Sequence, residues 1–232
     1  MSHLPPTTTG RAVLTAADAA AGRTAVAAAA RTVTAAPFAT GQGWTIVAPS
    51  SGAANGSALT FPGSDIARIT LSCNGSMDAL TGPRAERAVT VTARNRWRAS
   101  VVAASRSGTS GQPTAALYVR NSAADQFVCI SASASATPSN VYAISQAGLL
   151  DSTPLAGSCP WDGTTALEIR YTDAGLLAFG VLASDGRFRP VATSAANAVL
   201  EFVPSHVGIC GKAGQASAAV LDLSDFSFEV ME

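Results

Sequence analysis

Charge is scarce in this chain. Asp, Glu, Lys and Arg make up only 13% of its 232 residues, and the formal net charge is zero. That is about half the usual charged share. Phosphate binding needs a basic surface, so a nucleic-acid partner is not expected. Sparse, balanced charge also does not favour a freely dissolved monomer; it fits a protein packed in an assembly. Lys212 is the single lysine beside fourteen arginines, a coding bias more than a functional signal.

Histidine is almost absent, with only His3 and His206. An activated Ser or Cys needs a base beside it. His3 falls in a polar, Pro-rich start, and His206 opens a strand after Pro204. No G-x-S-x-G or H-E-x-x-H pattern occurs. Two carboxylates flanking a bond would suit glycoside cleavage. The available pairs are Glu168 with Asp173, and Glu201 with Asp222, without a Glu-x-Asp-x-x-Glu strand motif. Glu168 alternates with Leu167 and Ile169, which places it on the solvent side. No catalytic residue is assigned, and no enzyme is expected.

The four cysteines, Cys73, Cys129, Cys159 and Cys210, are widely spaced and form no CxxC, so no zinc or redox motif is indicated. Cys129 and Cys210 sit in the apolar runs FVCIS and VGICG, where buried free thiols are the default. A disulfide after release remains open, without a deducible pairing. Asp162-Gly163 and Asp185-Gly186 read as turns, not as the clustered oxygens of a calcium site. No metal and no cofactor is expected. No apolar run reaches the ~20 residues of a membrane span. Met1–Gly10 lacks a basic start followed by an apolar core, so a secretion signal is not expected.

What is present divides at about residue 43. Within Thr9–Thr34, Thr15 caps a helix with Asp18 three residues on. Ala16–Ala30 is then Ala-rich, interrupted only by Gly22, and alanine has the strongest helix propensity. A short helix of this kind is marginal alone. Its few larger side chains and its Ala surface suit packing against copies of itself; the competing reading is an arm without order of its own. Residues 1–43 are thus read as an N-terminal attachment and oligomerisation arm carrying a short α-helix.

From Trp44 the period becomes alternating. WTIVA, SALTF and IARITLS read as strands. AVTVTA and RASVVAAS read as a hairpin joined near Asn95, and ALYVRN with QFVCISAS as a second. Val141–Gln146 is a strand, and Leu149–Gly163 a long loop that is also a possible sub-boundary. ALEIRYT, LLAFGVLA and RFRPVA form a meander with Gly-containing turns. The closing run SAAVLDLSDFSFEV alternates but slips phase near Ser224, which predicts a bulge. The fold class expected is mainly β: an antiparallel β-sandwich over residues 44–232, preceded by the helix.

Arg94, Arg96 and Arg98 share one strand face, read as a solvated face. Trp97, opposite them, is read as core. Sugar binding calls for an exposed aromatic ring with polar groups beside it. Trp161 and Asp162 in the long loop, with Tyr171 nearby in sequence, are the candidates. The competing reading is that Trp161 plugs the end of the core.

Two resemblances add to this. The string Gly10-Arg-Ala-Val-Leu-Thr-Ala-Ala-Asp-Ala-Ala-Ala-Gly-Arg-Thr-Ala-Val26 resembles a segment common in bacteriophage tail fibres, which continues Leu-Gly-Leu-Gly where this chain has Val26-Ala-Ala-Ala. The order of the last third, closing on Leu223-Ser-Asp-Phe226, resembles concanavalin-like jelly rolls. The first resemblance implies a structural virion protein, a homotrimer attached to other virion proteins through the arm, with Leu14, Asp18, Ala21 and Val26 in the attachment segment. It also implies a virion location after assembly in a bacterial cytoplasm; host surface polysaccharide is a further candidate partner, which the resemblance does not identify. A capsid decoration protein and a carbohydrate-binding module of a bacterial protein are the alternatives.

Overall fold

The computed structural model describes residues 31–35, 38–63, 65–92, 96–107, 111–122, 126–133, 140–146, 155–160, 164–172, 175–193 and 202–231. Fifteen strands run through them: β1 (Arg31–Ala35), β2 (Thr45–Val47), β3 (Ala58–Gly63), β4 (Ile66–Cys73), β5 (Arg84–Ala88), β6 (Arg96–Ser107), β7 (Pro113–Asn121), β8 (Gln126–Ser133), β9 (Asn140–Gln146), β10 (Leu155–Pro160), β11 (Thr164–Tyr171), β12 (Leu177–Leu182), β13 (Phe188–Thr193), β14 (His206–Ala213) and β15 (Ser217–Met231). No helix occurs among the described residues. The expected N-terminal helix lies outside them, as do Leu14, Asp18, Ala21 and Val26.

Two antiparallel sheets form the sandwich. One has the order β13-β12-β11-β6-β15-β4-β3, with β1 also paired to β15; the other has the order β10-β9-β8-β7-β14-β5-β2. Alternation along each strand explains the layering. In β4, Ala67, Ile69, Leu71 and Cys73 are buried while Thr70 and Ser72 are exposed. The inward face mixes small and large residues. Ala67, Ala99, Ala103, Ala115 and Ala132 sit among Ile69, Leu71, Leu117, Ile130, Leu167 and Ile209. Each large aliphatic buried this way contributes roughly 1.5–3 kcal/mol; the alanines let the two faces interdigitate.

β15 organises the larger sheet. Its first half, Ser217–Ser224, pairs with β4, and its last residues, Ser227–Met231, pair with β1 on the same edge. β6 pairs along the other edge and shifts register between Ser224 and Ser227. Asp225 there has φ 51°. The bulge expected near Ser224 is therefore present, and it is where the neighbouring strand changes from β4 to β1. The sheet thus reaches into the stretch read from sequence as the arm. Phe38 and Trp44, just after β1, are buried against Phe61 and Phe226 at centroid distances of 4.9–6.4 Å.

Three local readings are corrected. The hairpin expected around Asn95 does not form. β5 ends at Ala88 in one sheet and β6 starts at Arg96 in the other. Val89 and Val91 pack on the core while the chain crosses between sheets. Second, Leu149–Gly163 contains β10, paired with β9 through a register shift between Leu155 and Ser158. The strands that follow it, β11–β13, join the sheet that already holds β4 and β6. Third, Glu168 does not face solvent. It lies on the outer side of β11 yet is only 1% exposed. Arg170 pairs with it, and the Arg170 guanidinium stacks 4.1 Å above the Phe188 ring. Phe188 in turn lies against Gly180, where a Cβ would be 2.7 Å from the ring.

Candidate functional site

A polar cleft of about 460 Å³ lies where the loop before β5, the turn before β7 and the end of β14 meet. The first wall is the segment 74–83. Asp78 shapes it: Oδ1 accepts from the backbone N–H groups of Leu80 and Thr81, each at 2.8 Å. The Thr81 carbonyl accepts from Ser50 and Ser51, at 2.9 and 3.1 Å. Met77 and Ala213 exchange backbone hydrogen bonds of 2.8 and 3.0 Å. Gly82 passes so close to β14 that a Cβ would lie 2.1 Å from the Gly211 carbonyl oxygen. The segment is therefore clamped at both ends.

The second wall is Gly111-Gln112. Both have left-handed φ, 82° and 56°. For Gln112 that geometry costs about 1–2 kcal/mol, and strained residues concentrate at functional sites. The Thr114 hydroxyl donates to the Gln112 carbonyl at 3.1 Å. The Gln112 amide lies beside Gly214, where a Cβ would sit 2.5 Å from Oε1. Lys212 closes the cleft from β14.

The lining chemistry is mixed. Asp78 offers acceptors, Lys212 donors, and Gln112 both; Ser51, Ser76, Thr81 and Thr114 add hydroxyls. This suits a ligand rich in hydroxyl groups. Among the described residues no aromatic side chain and no histidine lines it. His206 is at the far end of β14, about 20 Å away at six residues of ~3.3 Å each. Its Nδ1 lies 2.9 Å from the Ser205 hydroxyl, which also contacts the Arg120 carbonyl and Ser122. That contact ties strand ends together. Among the described residues no three His, Cys, Asp or Glu side chains gather as a metal site would require.

Trp161 and Asp162 lie outside the described residues. Tyr171 is 8% exposed and stacks on Trp97 at 6.2 Å with rings 10° apart. Trp97 is fully buried among Tyr171, Phe202 and Phe228, as expected for a core residue. Arg98 pairs with Glu229 through two 2.8 Å contacts, and Arg96 is exposed; Arg94 lies outside the described residues. Asp222 is held by Arg68 at 2.9 and 3.1 Å and also by Arg106. Burial pushes its carboxyl up, but these two arginines outweigh it and hold it below the usual range. It is an ion-pair anchor between β4, β6 and β15. Sequence reading did not single out the cleft residues as a site. What brings them together is the pairing of β14 with β7.

No protein-family model matches this sequence, and no curated protein matches it. Solved structures do resemble it in fold. The CBM2 module of the evolved Dit of Lactobacillus casei BL23 phage J-1 aligns with a TM-score of 0.57 at 10% identity, over 86% of this chain and 96% of that one. A GH43 protein of Bacillus licheniformis gives 0.60 at 13% identity, over 84% of this chain but 38% of its own length. The Bauhinia forficata lectin, solved with GalNAc, gives 0.51 at 10% identity, over 88% and 99%. At these identities the likeness is one of architecture: this chain is a jelly-roll β-sandwich.

Proposed function

We propose that this chain is a non-catalytic, glycan-binding β-sandwich of a tailed-phage virion appendage. The observation that carries the reading is the polar cleft, with a strained Gln112 facing Asp78 and Lys212 across a recess lined by hydroxyl groups. Support comes from the chain-long likeness in fold to a module of a phage Dit and to a lectin. The resemblance of Gly10–Val26 to phage tail-fibre segments supports it, and attachment to other virion proteins and trimer formation are proposed for the arm.

Binding to host cell-wall polysaccharide, measured by calorimetry and on a glycan array, tests the reading. The full chain is expected to bind, and Lys212→Ala and Gln112→Ala each to weaken binding about tenfold or more while near-UV dichroism is unchanged. Binding that ignores both substitutions but is lost in Trp161→Ala moves the site to the 149–163 segment. Absence of any glycan binding removes the reading. Light scattering after size exclusion tests the trimer separately: a monomer with or without residues 1–30 counts against the arm's role.

A further inference from the structure

Arg87 reaches the inner side of the sandwich with one guanidinium nitrogen, Nη1, that has no hydrogen-bond partner among the described residues. Along β5, Ala85 faces the core and is fully buried. Arg87, two residues on, shares that side, and its register partner on β14 is the fully buried Val207. Glu86 between them points outward, where Arg120 and Tyr118 hold it. Arg87 is half-buried, and its Nη1 is buried with no hydrogen-bond partner among the described residues. Gly43 lies against the same side chain; a Cβ there would be 3.3 Å from Nε.

Arg87 lines a cavity of about 240 Å³ with Val89, Thr90, Val207, Phe226, Phe228 and Val230, and none of the described lining residues is acidic. Trp44, packed 4.9 Å from Phe226 and outside the cavity lining, holds another buried N–H with no partner among the described residues. A buried donor left unpaired is costly, most of all when it is charged. Here the buried Arg87 Nη1 adjoins an apolar wall on which, among the described residues, Thr90 is the one other polar side chain. The cavity sits at the end of β14 opposite the polar cleft, so the two recesses are separate.

We propose that this cavity binds a small organic anion with an apolar body, a medium-chain or aromatic carboxylate. The carboxylate accepts from Arg87, and the hydrocarbon lies on Phe226, Phe228 and Val207. At roughly 30 Å³ per water-sized group, the space holds about eight such groups, which suits hexanoate or benzoate. Arginine supplies the charge-assisted hydrogen bonds that fix such a group.

Thermal denaturation of the full chain with hexanoate, hexanol and hexylamine tests this. Hexanoate is expected to raise Tm saturably, and the alcohol and the amine to have no such effect. Arg87→Met, which keeps the length and removes the charge, is expected to weaken the hexanoate response about tenfold or more. Lys212→Ala is expected to keep it whole, so the outcome is independent of glycan binding. Nuclear Overhauser contacts from carbon-13-labelled hexanoate to the ring protons of Phe226 and Phe228 read the same site in the unaltered chain. Absence of a saturable shift, an equal shift in Arg87→Met, or contacts elsewhere on the chain would overturn the assignment.

Discussion

Tyr118 lies across the bare α-carbon of Gly208. A Cβ at Gly208 would sit 2.3 Å from the ring's Cζ and 2.6 Å from the Ala85 carbonyl oxygen. The absence of that methyl lets the Tyr118 ring cross β14 and donate its hydroxyl to Glu86 at 3.0 Å. Arg120 completes the group with 2.9 and 2.7 Å contacts to the same carboxylate. Three strands, β7, β14 and β5, are thereby tied on the outer face.

Gly208→Ala therefore has to displace either the ring or a backbone carbonyl. Overpacking of this kind costs about 1–3 kcal/mol, and the loss of the Tyr118–Glu86 hydrogen bond adds to it. A loss of about 3 kcal/mol in urea unfolding is expected for Gly208→Ala, against less than about 1.5 for Tyr118→Phe, which keeps the ring and drops the hydroxyl. Equal effects would mean that the close approach carries no weight.

That contact shows where sequence reading stops. The alternation of β4 and the phase slip at Ser224 were legible, because each is a local pattern of period two. The hairpin misplaced around Asn95 has the same alternation, yet Val89 and Val91 meet the core on a crossing between sheets. β10 was hidden by Pro154 and Pro160 at its ends. Glu168 obeys the alternation but is roofed by Arg170 and Phe188, from its own strand and from β13. Glycines 208 and 82 were unreadable as packing sites, since what lies over them comes from distant strands. The cleft and Arg87 depend on the same long-range pairing.

Acid is expected to loosen the sandwich through Glu86 and Asp222. Burial raises the Glu86 carboxyl, but hydrogen bonds from Arg120 and Tyr118, with the charges of Arg120 and His206, outweigh it and leave it below the usual value. Asp222 is lowered in the same sense by Arg68 and Arg106. A folded-state pKa below the unfolded one means that the unfolded chain binds more protons, so stability rises with pH across that window. The contribution is complete above the unfolded values, about pH 4, and is lost as pH falls through the folded ones. Urea midpoints at pH 6, 4 and 3 should decline, and Glu86→Gln should flatten that decline. An unchanged slope in Glu86→Gln would assign the acid sensitivity elsewhere.

Gln112 separates stability from binding. Its φ of 56° follows Gly111 at 82°, so the backbone favours glycine at both positions. Gln112→Gly removes strain of about 1–2 kcal/mol and gives back part of it through the freer unfolded chain. Stability is expected to stay level or to rise by up to about 1 kcal/mol, while glycan binding falls about tenfold or more. Most truncations cost stability, so this opposite pairing is diagnostic. A less stable variant with intact binding would show that the left-handed Gln112 serves the fold alone.

The thiols provide the last test, because the sandwich controls their reactivity by burial. Cys73, Cys129 and Cys210 are buried thiols. Cys73 lies 3.7 Å from the carbonyl oxygens of Gln215 and Ser217, and Cys129 lies 3.8 Å from the Ser131 hydroxyl. Burial, with Cys129 nearby, pushes the Cys210 thiol far up. The thiolate is the reactive species, so Cys210 should resist iodoacetamide at pH 8 in the native chain and react fully in guanidinium. Labelling followed by peptide mass mapping resolves each position. The three should become reactive together at the unfolding midpoint, since β4, β8 and β14 belong to one cooperative sandwich. If Cys210 reacted in the native chain, or well before Cys73, the outer face of β14 would have to open independently of the core.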